Sequence, residues 1–306
     1  MDKIEVCLRL GENNFDALHI IQDTLSLYVE RNEAFYLKPR HYGNIRYSLV
    51  VQIPLLPPDY PLSYNLIVES GSARDWHGSS RPYAKFCFNV EGLSTNERAC
   101  RRFLEILQDI IPSGGYADLL EDGYVVYAEF SADFRGVEVE SLDAYCPSLN
   151  QSLYNFRDGV RKTINLHDER PGRPEAFCIY DKKRADREQH HRIRRGPLVR
   201  IEAKRRFNRT PNYRELHLNE LHRIRNPFES LRIYDRNRIE QTFTAARHRN
   251  FLEQFQREGV QAALTGTRGA DRDRRERMLD TCKVDWWNPE QAWAGKNNAI
   301  LKGLLL

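Results

Sequence analysis

The amino-acid sequence predicts an α+β fold built on a central antiparallel sheet, with helices packed on one face of the sheet and a helical, charged C-terminal tail. Short extended segments and amphipathic helices follow one another along the 306 residues without strict alternation, which is typical of this fold class. Three of the extended segments also carry one apolar and one polar face, as strands do in a sheet that is covered on one side.

The first half of the chain predicts two helices and three strands. Residues 13–31 form the first helix, because Phe15, Leu18, Ile21, Leu25 and Tyr28 recur at helical spacing behind a cap at Asn13 or Asn14. Residues 95–111 form the second helix, with Thr95 as its N-cap and a Pro-Ser-Gly-Gly stop. Between them, Pro-rich and Gly/Ser-rich turns separate strands at 45–53, 64–69 and 84–90.

The second half predicts further strands and then mainly helix. A strand at 125–134 leads into a helical or looped stretch that reaches about residue 155. Later strands are predicted at 161–166, 176–182 and 198–206, and helices at 212–225 and 236–262. We therefore expect residues 1–262 to form the α+β region, either as one domain or as two subdomains that meet near residue 120. Residues 263–306 are expected to form a loosely attached appendage.

Charge is distributed unevenly along the chain. Residues 1–150 carry 13 Lys and Arg against 22 Asp and Glu, whereas residues 151–306 carry 34 against 21. The densest basic stretch, 182–209, has 12 basic residues and three acidic ones. Such a stretch is either a surface for a nucleic-acid backbone or a solvated basic loop.

Other features of the composition favour a cytoplasmic protein. No run of about 18 apolar residues is present, and the N-terminal segment lacks the apolar core of a signal peptide, so we expect no membrane association. The six cysteines are scattered without zinc-type spacing, which indicates free thiols in a reducing compartment.

The three two-faced strands carry the candidate site. In 125–134, the side chains of Tyr127, Glu129, Ser131 and Asp133 alternate with apolar ones that start at Val126. Tyr180 and Lys182 share the polar face of the strand 176–182. In the strand 198–206, the polar face carries Arg200, Glu202, Lys204 and Arg206.

If these strands are neighbours, their polar faces combine into one chemical site. Clustered carboxylates need a compensating cation, and an all-oxygen set suits Mg²⁺ or Mn²⁺, so Glu129, Asp133 and Glu202 are candidate metal ligands. Basic side chains around them would hold a phosphodiester, and a tyrosine hydroxyl beside the metal could attack it. The alternative is a solvated sheet face on which these charges form cross-strand ion pairs.

Read in order, several blocks resemble the replication initiation factors of rolling-circle plasmids, a family that includes initiators of filamentous phages and some conjugative relaxases. Residues 125–137 (VVYAEFSADFRGV) are similar to the acidic strand of that family, and residues 198–204 (LVRIEAK) are similar to its Arg-x-Glu strand. Further similar blocks lie at 83–90, 161–182 and 221–235.

The resemblance implies a relaxase-type or nickase-type α+β fold and an enzyme that nicks one DNA strand at an origin. It further implies attack by a tyrosine, a 5′-phosphotyrosine intermediate and a divalent metal ion. The implied partners are origin DNA in single-stranded or cruciform form, and the host helicase and polymerase. A second copy of the chain, in a homodimer, is a further candidate partner.

Departures from the family pattern leave the nucleophile open. Asn165 and His167 stand where the resemblance calls for tyrosine and glycine, and Ile201 stands where some members have a tyrosine. Tyr180 is the first candidate nucleophile, with Lys182 beside it, and Tyr213 and Tyr154 are the alternatives. Arg200, Lys204, Arg206 and Lys183 are candidate DNA-binding residues. Two rival hypotheses are a DNA-binding regulator that lost the chemistry and an unrelated α+β protein with a solvated sheet face.

Overall fold

A computed structural model describes residues 3–11, 14–38, 41–42, 45–60, 64–74, 80–111, 113–157, 160–168, 175–190, 196–207 and 216–304. The chain forms two compact units. The first unit contains residues 1–129, 207–224 and 295–306, and the second contains residues 130–206 and 225–294. Both consist of antiparallel strands and helices, so the predicted α+β class with a large antiparallel sheet is confirmed.

The first unit is a set of antiparallel strands covered by helices. Its strands in chain order are β1 (Lys3–Arg9), β2 (Phe35–Tyr36), β3 (His41–Tyr42), β4 (Ile45–Pro54), β5 (Asn65–Arg74) and β6 (Ser80–Phe88). They pair in the order β2-β4-β5-β6-β1, β3 pairs with β4, and β1 also pairs with the first half of β7 (Tyr124–Arg135). The helices are α1 (Phe15–Glu30), α2 (Val90–Thr95), α3 (Glu97–Ile110) and α4 (Tyr116–Asp122).

The two amphipathic helices of the first unit follow the sequence pattern closely. Leu18, Ile21, Leu25 and Tyr28 of α1 are buried, as their spacing predicts. The predicted cap of α3 is wrong by one residue, because Asn96 accepts a 3.0 Å hydrogen bond from the Ala99 amide. Thr95 instead ends α2, where its hydroxyl donates back to the carbonyl of Glu91.

Replacing Asn96 by alanine is therefore expected to destabilise the protein by about 1 kcal/mol, because the first turn of α3 loses its side-chain acceptor. The matched control is Thr95→Ala, which removes only a hydroxyl bonded within its own helix and should cost less than about 0.5 kcal/mol. Urea denaturation of both variants measures the two costs. A larger loss for Thr95→Ala would restore the cap that the sequence predicts.

Strand β7 departs from simple alternation near its start. The predicted apolar face begins at Val126, but the register between β1 and β7 shifts at Glu5 and Val6. Because of this bulge, Val125 is fully buried and Val126 turns to the other face, while Ala128 keeps its predicted buried position. Tyr127 lies opposite Glu5 on the polar face.

The second unit has two sheets. Residues 130–135 of β7 begin the larger sheet, which continues in the order β12 (Leu198–Arg206), β11 (Glu175–Asp181), β10 (Val160–His167) and β9 (Gln151–Arg157). The smaller sheet pairs β8 (Leu142–Tyr145) with β13 (Arg232–Asp235). The helical or looped reading of the stretch before residue 155 is wrong, because β8 and most of β9 lie there.

Helices of the second unit are shorter than the sequence predicts. They are α5 (Lys182–His190), α6 (Arg236–Thr242), α7 (Arg249–Thr265), α8 (Gly269–Asp280) and α9 (Pro289–Trp293), and the last helix of the chain, α10 (Lys296–Leu304), belongs to the first unit. The helix predicted at 236–262 is interrupted after Thr242, where the Phe243 ring is fully buried. The helix predicted at 212–225 falls largely in the first unit, and its described residues, 216–225, contain the 3₁₀ helix Leu218–Arg223 and no α-helix.

The predicted appendage, 263–306, is packed rather than loosely attached. Leu279 and Cys282 are fully buried in the helical core of the second unit, and Trp293 is buried against Phe130 and Phe228. In the first unit, Ile300 and Leu304 of α10 are buried. The aromatic and aliphatic side chains of this segment therefore bury apolar surface that a solvated tail would expose. None of the helices in the described ranges is long and apolar enough to cross a membrane.

Candidate active site

The polar face of the larger sheet in the second unit is built by the register of β10, β11 and β12. One cross-strand row joins Thr163, Tyr180 and Arg200, and the next joins Asn165, Cys178 and Glu202. The opposite face is apolar and buried, as the alternation predicts: Ile164, Leu166, Phe177, Ile179, Val199, Ile201 and Ala203.

Tyr180 and Glu202 are directly bonded on this face. The Tyr180 hydroxyl donates a 2.7 Å hydrogen bond to Oε1 of Glu202, across adjacent rows of β11 and β12. The other carboxylate oxygen, Oε2, lies 3.7 Å from Nζ of Lys204. Glu202 is only 8% exposed, so a low-polarity environment strengthens both interactions. The tyrosine hydroxyl thus has a carboxylate acceptor held in place by a cation.

A cleft of about 400 Å³ opens beside this pair. Basic side chains on one wall come from β10 and α5, and an aromatic side chain comes from β9. Phe156 is 60% exposed there, although large apolar side chains in this fold are mostly buried. The lining residues are Asn155, Phe156, Lys162, Thr163, Cys178, Tyr180, Asp181, Arg184, Ala185 and Glu202.

Arg200 and Asp133 satisfy each other. Nε of Arg200 donates to Oδ1 of Asp133 at 2.6 Å, and Nη2 donates to Oδ2 at 2.9 Å. This bidentate geometry is the strongest form of an arginine–carboxylate pair. Arg200, predicted to bind phosphate, and Asp133, predicted to bind a metal ion, are therefore paired with each other in this arrangement.

The predicted metal ligands do not form a ligand set as they stand. Glu202 accepts from Tyr180, Asp133 is bound by Arg200, and Glu129, in the first unit, accepts a hydrogen bond from the Tyr127 hydroxyl. Among the described residues, no group of three or more His, Cys, Asp or Glu side chains could hold a metal ion. In the geometry observed, these residues therefore do not fit Mg²⁺ or Mn²⁺.

Lys182 is not on the strand face that was predicted for it. Strand β11 ends at Asp181, and Lys182 is the first residue of α5, so strand parity no longer relates it to Tyr180. Its Nζ lies 3.1 Å from Oδ1 of Asp186, a residue that is 1% exposed. Lys182 therefore holds the first turn of α5 and compensates a buried carboxylate.

The two remaining predicted DNA-binding residues lie at different places. Lys183 lines a neighbouring hollow of about 260 Å³ together with Pro197, and this hollow shares Lys162 and Asp181 with the Tyr180 cleft. Arg206 is exposed at the end of β12. Neither is among the residues that line the Tyr180 cleft.

Of the two alternative nucleophiles, only Tyr154 lies within the described residues. Tyr213 lies outside the described residues. The Tyr154 hydroxyl donates a 2.8 Å hydrogen bond to Asp143, and the Arg161 guanidinium lies 4.1 Å from the centre of its ring. Burial and the Asp143 carboxylate raise the pKa of Tyr154 well above its usual value, which disfavours the anion that attacks phosphorus.

Of the ten residues that line the cleft, the sequence predicts only Tyr180 and Glu202 as site residues, and three of the others could contact DNA. Lys162 and Arg184 place positive charge on its wall, and Phe156 offers an aromatic face. Alternation from Thr163 could have indicated that β10 borders the site. Phe156 lies between the stretch predicted as helix or loop to about residue 155 and the strand predicted from 161, in a segment for which the sequence predicts no strand.

Comparisons with known proteins give no family. No protein-family model matches the chain, and no curated protein matches it. Among solved structures, it is similar to a rolling circle replication initiator protein from Geobacillus stearothermophilus, with 14% identity, a TM-score of 0.34 and coverage of 68% of this chain and 74% of that one. Two others have TM-scores of 0.17. DynU16, a putative protein in the dynemicin biosynthetic locus, has 9% identity over 66% of this chain and 86% of its own. The di-domain ARO/CYC StfQ of steffimycin biosynthesis has 7% identity over 67% and 84%. Likenesses this weak identify no activity.

Proposed function

We propose that the protein nicks one strand of DNA through Tyr180 and so initiates rolling-circle replication. The observation that carries the proposal is the hydrogen bond from the Tyr180 hydroxyl to Glu202, beside a cleft whose wall carries Lys162 and Arg184. A hydroxyl nucleophile needs a base within hydrogen-bond reach, and a phosphodiester needs cations around it. The ordered sequence blocks that resemble rolling-circle initiators support the same reaction.

The proposed step is a transesterification. Tyr180 Oη attacks phosphorus as its proton passes to Glu202, and a bond forms between the tyrosine oxygen and the 5′-phosphate. The bond from phosphorus to the 3′ oxygen breaks, and that oxygen takes a proton from solvent to become a free 3′-hydroxyl. Lys204 balances the charge on Glu202 before the proton arrives. The 3′-hydroxyl can then prime synthesis, and the number of phosphodiester-type bonds is unchanged.

The cleft suits a single strand better than a duplex. Phe156 presents an exposed ring beside Lys162 and Arg184, and stacking of unpaired bases on aromatic side chains within basic grooves is the common mode of single-strand binding. We therefore propose single-stranded or cruciform origin DNA as the substrate. A homodimer, a host helicase and a host polymerase remain proposed partners.

The test of the proposal is a covalent adduct. Purified protein is incubated with labelled single-stranded oligonucleotides that tile the DNA carrying its gene, with Mg²⁺, with Mn²⁺ or with EDTA. The expected result is a protein–DNA adduct that survives detergent and a second DNA product with a 3′-hydroxyl that a polymerase can extend. The tryptic peptide that contains Tyr180 should carry a nucleotide joined through its 5′-phosphate. Adduct formation in EDTA would remove the metal requirement that the sequence predicts, and no adduct under any of these conditions would overturn the proposal.

Glu202→Gln is expected to slow adduct formation by about 10²-fold or more, because the amide cannot take the proton from Tyr180. Glu202→Asp keeps a carboxylate and should restore part of the rate. The matched control is Glu229→Gln, which removes one exposed carboxylate of the second unit outside the cleft. Single-turnover rates measure all three, and equal rates for Glu202→Gln and Glu229→Gln would exclude Glu202 as the base.

A non-catalytic DNA-binding regulator is the second candidate function. The bidentate pair of Arg200 and Asp133 favours it, since two residues predicted for catalysis are engaged with each other. This candidate predicts salt-sensitive binding of the same oligonucleotides with no covalent product in any metal condition.

A further inference from the structure

The second unit carries a cluster of arginines that are supported by neutral groups. Arg247 follows α6 in a 3₁₀ turn, and Arg274 and Arg275 lie on α8. Among the described residues, no ion pair joins any of these three to a carboxylate. Other arginines of the same unit do have acidic partners, as in the pairs Arg161–Asp143, Arg205–Glu175 and Arg232–Glu276.

Neutral partners hold two of the three guanidinium groups. Nε of Arg247 donates to Nε2 of His248 at 3.2 Å, which requires a neutral imidazole as the acceptor. Nη1 of Arg275 donates to the Thr267 hydroxyl at 2.8 Å, and its guanidinium lies 5.2 Å from the centre of the Phe251 ring. Each contact orients a cation without cancelling its charge.

An aromatic layer brings these supports together. The Phe243 ring stacks on Phe251 with centroids 4.4 Å apart, and its edge meets the His248 ring at 5.3 Å. Arg247 and Arg275 are therefore anchored to adjoining rings of one buried cluster. Arg274 directly precedes Arg275 on α8, so the two cations lie on the same helix. Burial and the positive charges of Arg247, Arg275 and Arg274 lower the pKa of His248, which favours the neutral imidazole that accepts from Arg247.

We propose that Arg247, Arg274 and Arg275 form a second binding surface for the DNA backbone, separate from the residues that line the Tyr180 cleft. Oriented guanidinium groups are pre-organised for phosphate oxygens, and the absence of a carboxylate partner means that no ion pair must break before phosphate binds. The inference rests on the proposed function for the identity of the polyanion. The surface contacts phosphates and therefore binds without preference for base sequence.

The experiment measures the salt dependence of binding to a fluorescently labelled single-stranded oligonucleotide. In the full-length Arg247→Gln/Arg274→Gln/Arg275→Gln variant, log K is expected to decrease less steeply with log salt. The magnitude of the slope should be smaller by about 2, since each phosphate contact on a single strand contributes about 0.7. Arg274→Gln alone should reduce the magnitude of the slope by about 0.7. The single variant is informative even if the triple variant folds poorly, because the exposed Arg274 side chain makes no hydrogen bond or ion pair within the described residues.

The matched control removes the same charge from cations that already have acidic partners. In Arg238→Gln/Arg257→Gln/Lys283→Gln, the lost partners are Asp285, Glu258 and Asp280, and the slope should change by less than about 0.5. Equal slopes for the cluster variant and the control variant would overturn the inference. So would a cluster variant that loses binding to phosphatidylserine vesicles but keeps its DNA slope, because the surface would then serve a membrane.

The two proposals fail in different ways. A reduced slope in the cluster variant, with no adduct in wild-type protein, would leave the arginine surface standing and remove the nicking reaction. An adduct at Tyr180 with an unchanged slope in the cluster variant would support the nicking reaction and remove the arginine surface.

Discussion

Replacing Tyr180 by phenylalanine is expected to abolish the covalent protein–DNA adduct, with a loss of at least about 10³-fold in the nicking rate, because the substitution removes the attacking oxygen. Phenylalanine keeps the ring on β11 and removes only the hydroxyl. Glu202 then loses its 2.7 Å donor but retains Lys204, so the carboxylate is not left buried without a partner. The fold should therefore survive, and the loss should lie in the chemical step.

Gel electrophoresis in detergent and a polymerase extension assay measure this loss, and a thermal melt shows that the variant is folded. Tyr60→Phe is the control, since Tyr60 is an exposed tyrosine of the first unit. An adduct that persists in Tyr180→Phe would refute Tyr180 as the nucleophile. If that adduct disappears in Tyr213→Phe, the attacking residue is Tyr213.

Replacing Gly259 by alanine is expected to destabilise the protein by roughly 4 kcal/mol, the sum of backbone strain and overpacking. Gly259 interrupts α7 with φ 78° and ψ 178°, a backbone conformation that residues other than glycine rarely adopt. A Cβ atom built there would lie 1.6 Å from the Tyr154 hydroxyl. That hydroxyl cannot retreat cheaply, because it donates to Asp143 at 2.8 Å.

Urea denaturation followed by tryptophan fluorescence measures this effect, since Trp286, Trp287 and Trp293 all lie in the second unit. Gly136→Ala is the matched control, because Gly136 also has a positive φ, 76°, but nothing within 4 Å of a built Cβ. The difference between the two variants isolates the collision with Tyr154 from the strain of the backbone. Equal costs for both would mean that α7 shifts away from Tyr154 without penalty.

The Tyr154 hydroxyl is one part of a polar network around Asp143, which is fully buried. The carboxylate receives Arg161 at 3.2 Å and the Val260 amide at 3.3 Å, in addition to the tyrosine. A buried carboxylate is tolerated only with such partners. This network explains why a tyrosine that is a plausible nucleophile in the sequence serves the fold instead.

Local periodicity predicted the polar sheet face on which Tyr180 and Glu202 lie, but few of the other residues that line the cleft. Alternation along one strand places Arg200, Glu202 and Lys204 on one face, and this prediction needs no knowledge of the neighbouring strand. The contact between Tyr180 and Glu202 could not be predicted in the same way, because it depends on the register of two strands. Tyr180 lies opposite Arg200 in that register and reaches Glu202 in the adjoining row.

Two errors lie where an element ends, and a third concerns a whole strand. Lys182 continues the alternation of β11 in the sequence, yet a helix begins at that residue. Thr95 and Asn96 are both good capping residues, and only the end of α2 decides between them. Strand β9 was missed because Ser152 and Asn155 are typical of turns, whereas pairing with β10 outweighs that local preference.

The course of the chain also constrains how the protein can be made. The first unit is completed only by residues 207–224 and 295–306, and Tyr116 of α4 donates a 2.7 Å hydrogen bond to the carbonyl of Leu304 in α10. A ribosome must therefore synthesise the chain as far as α10 before α4 can acquire this neighbour. A genetic fragment that stops at residue 129 would therefore encode an incomplete core.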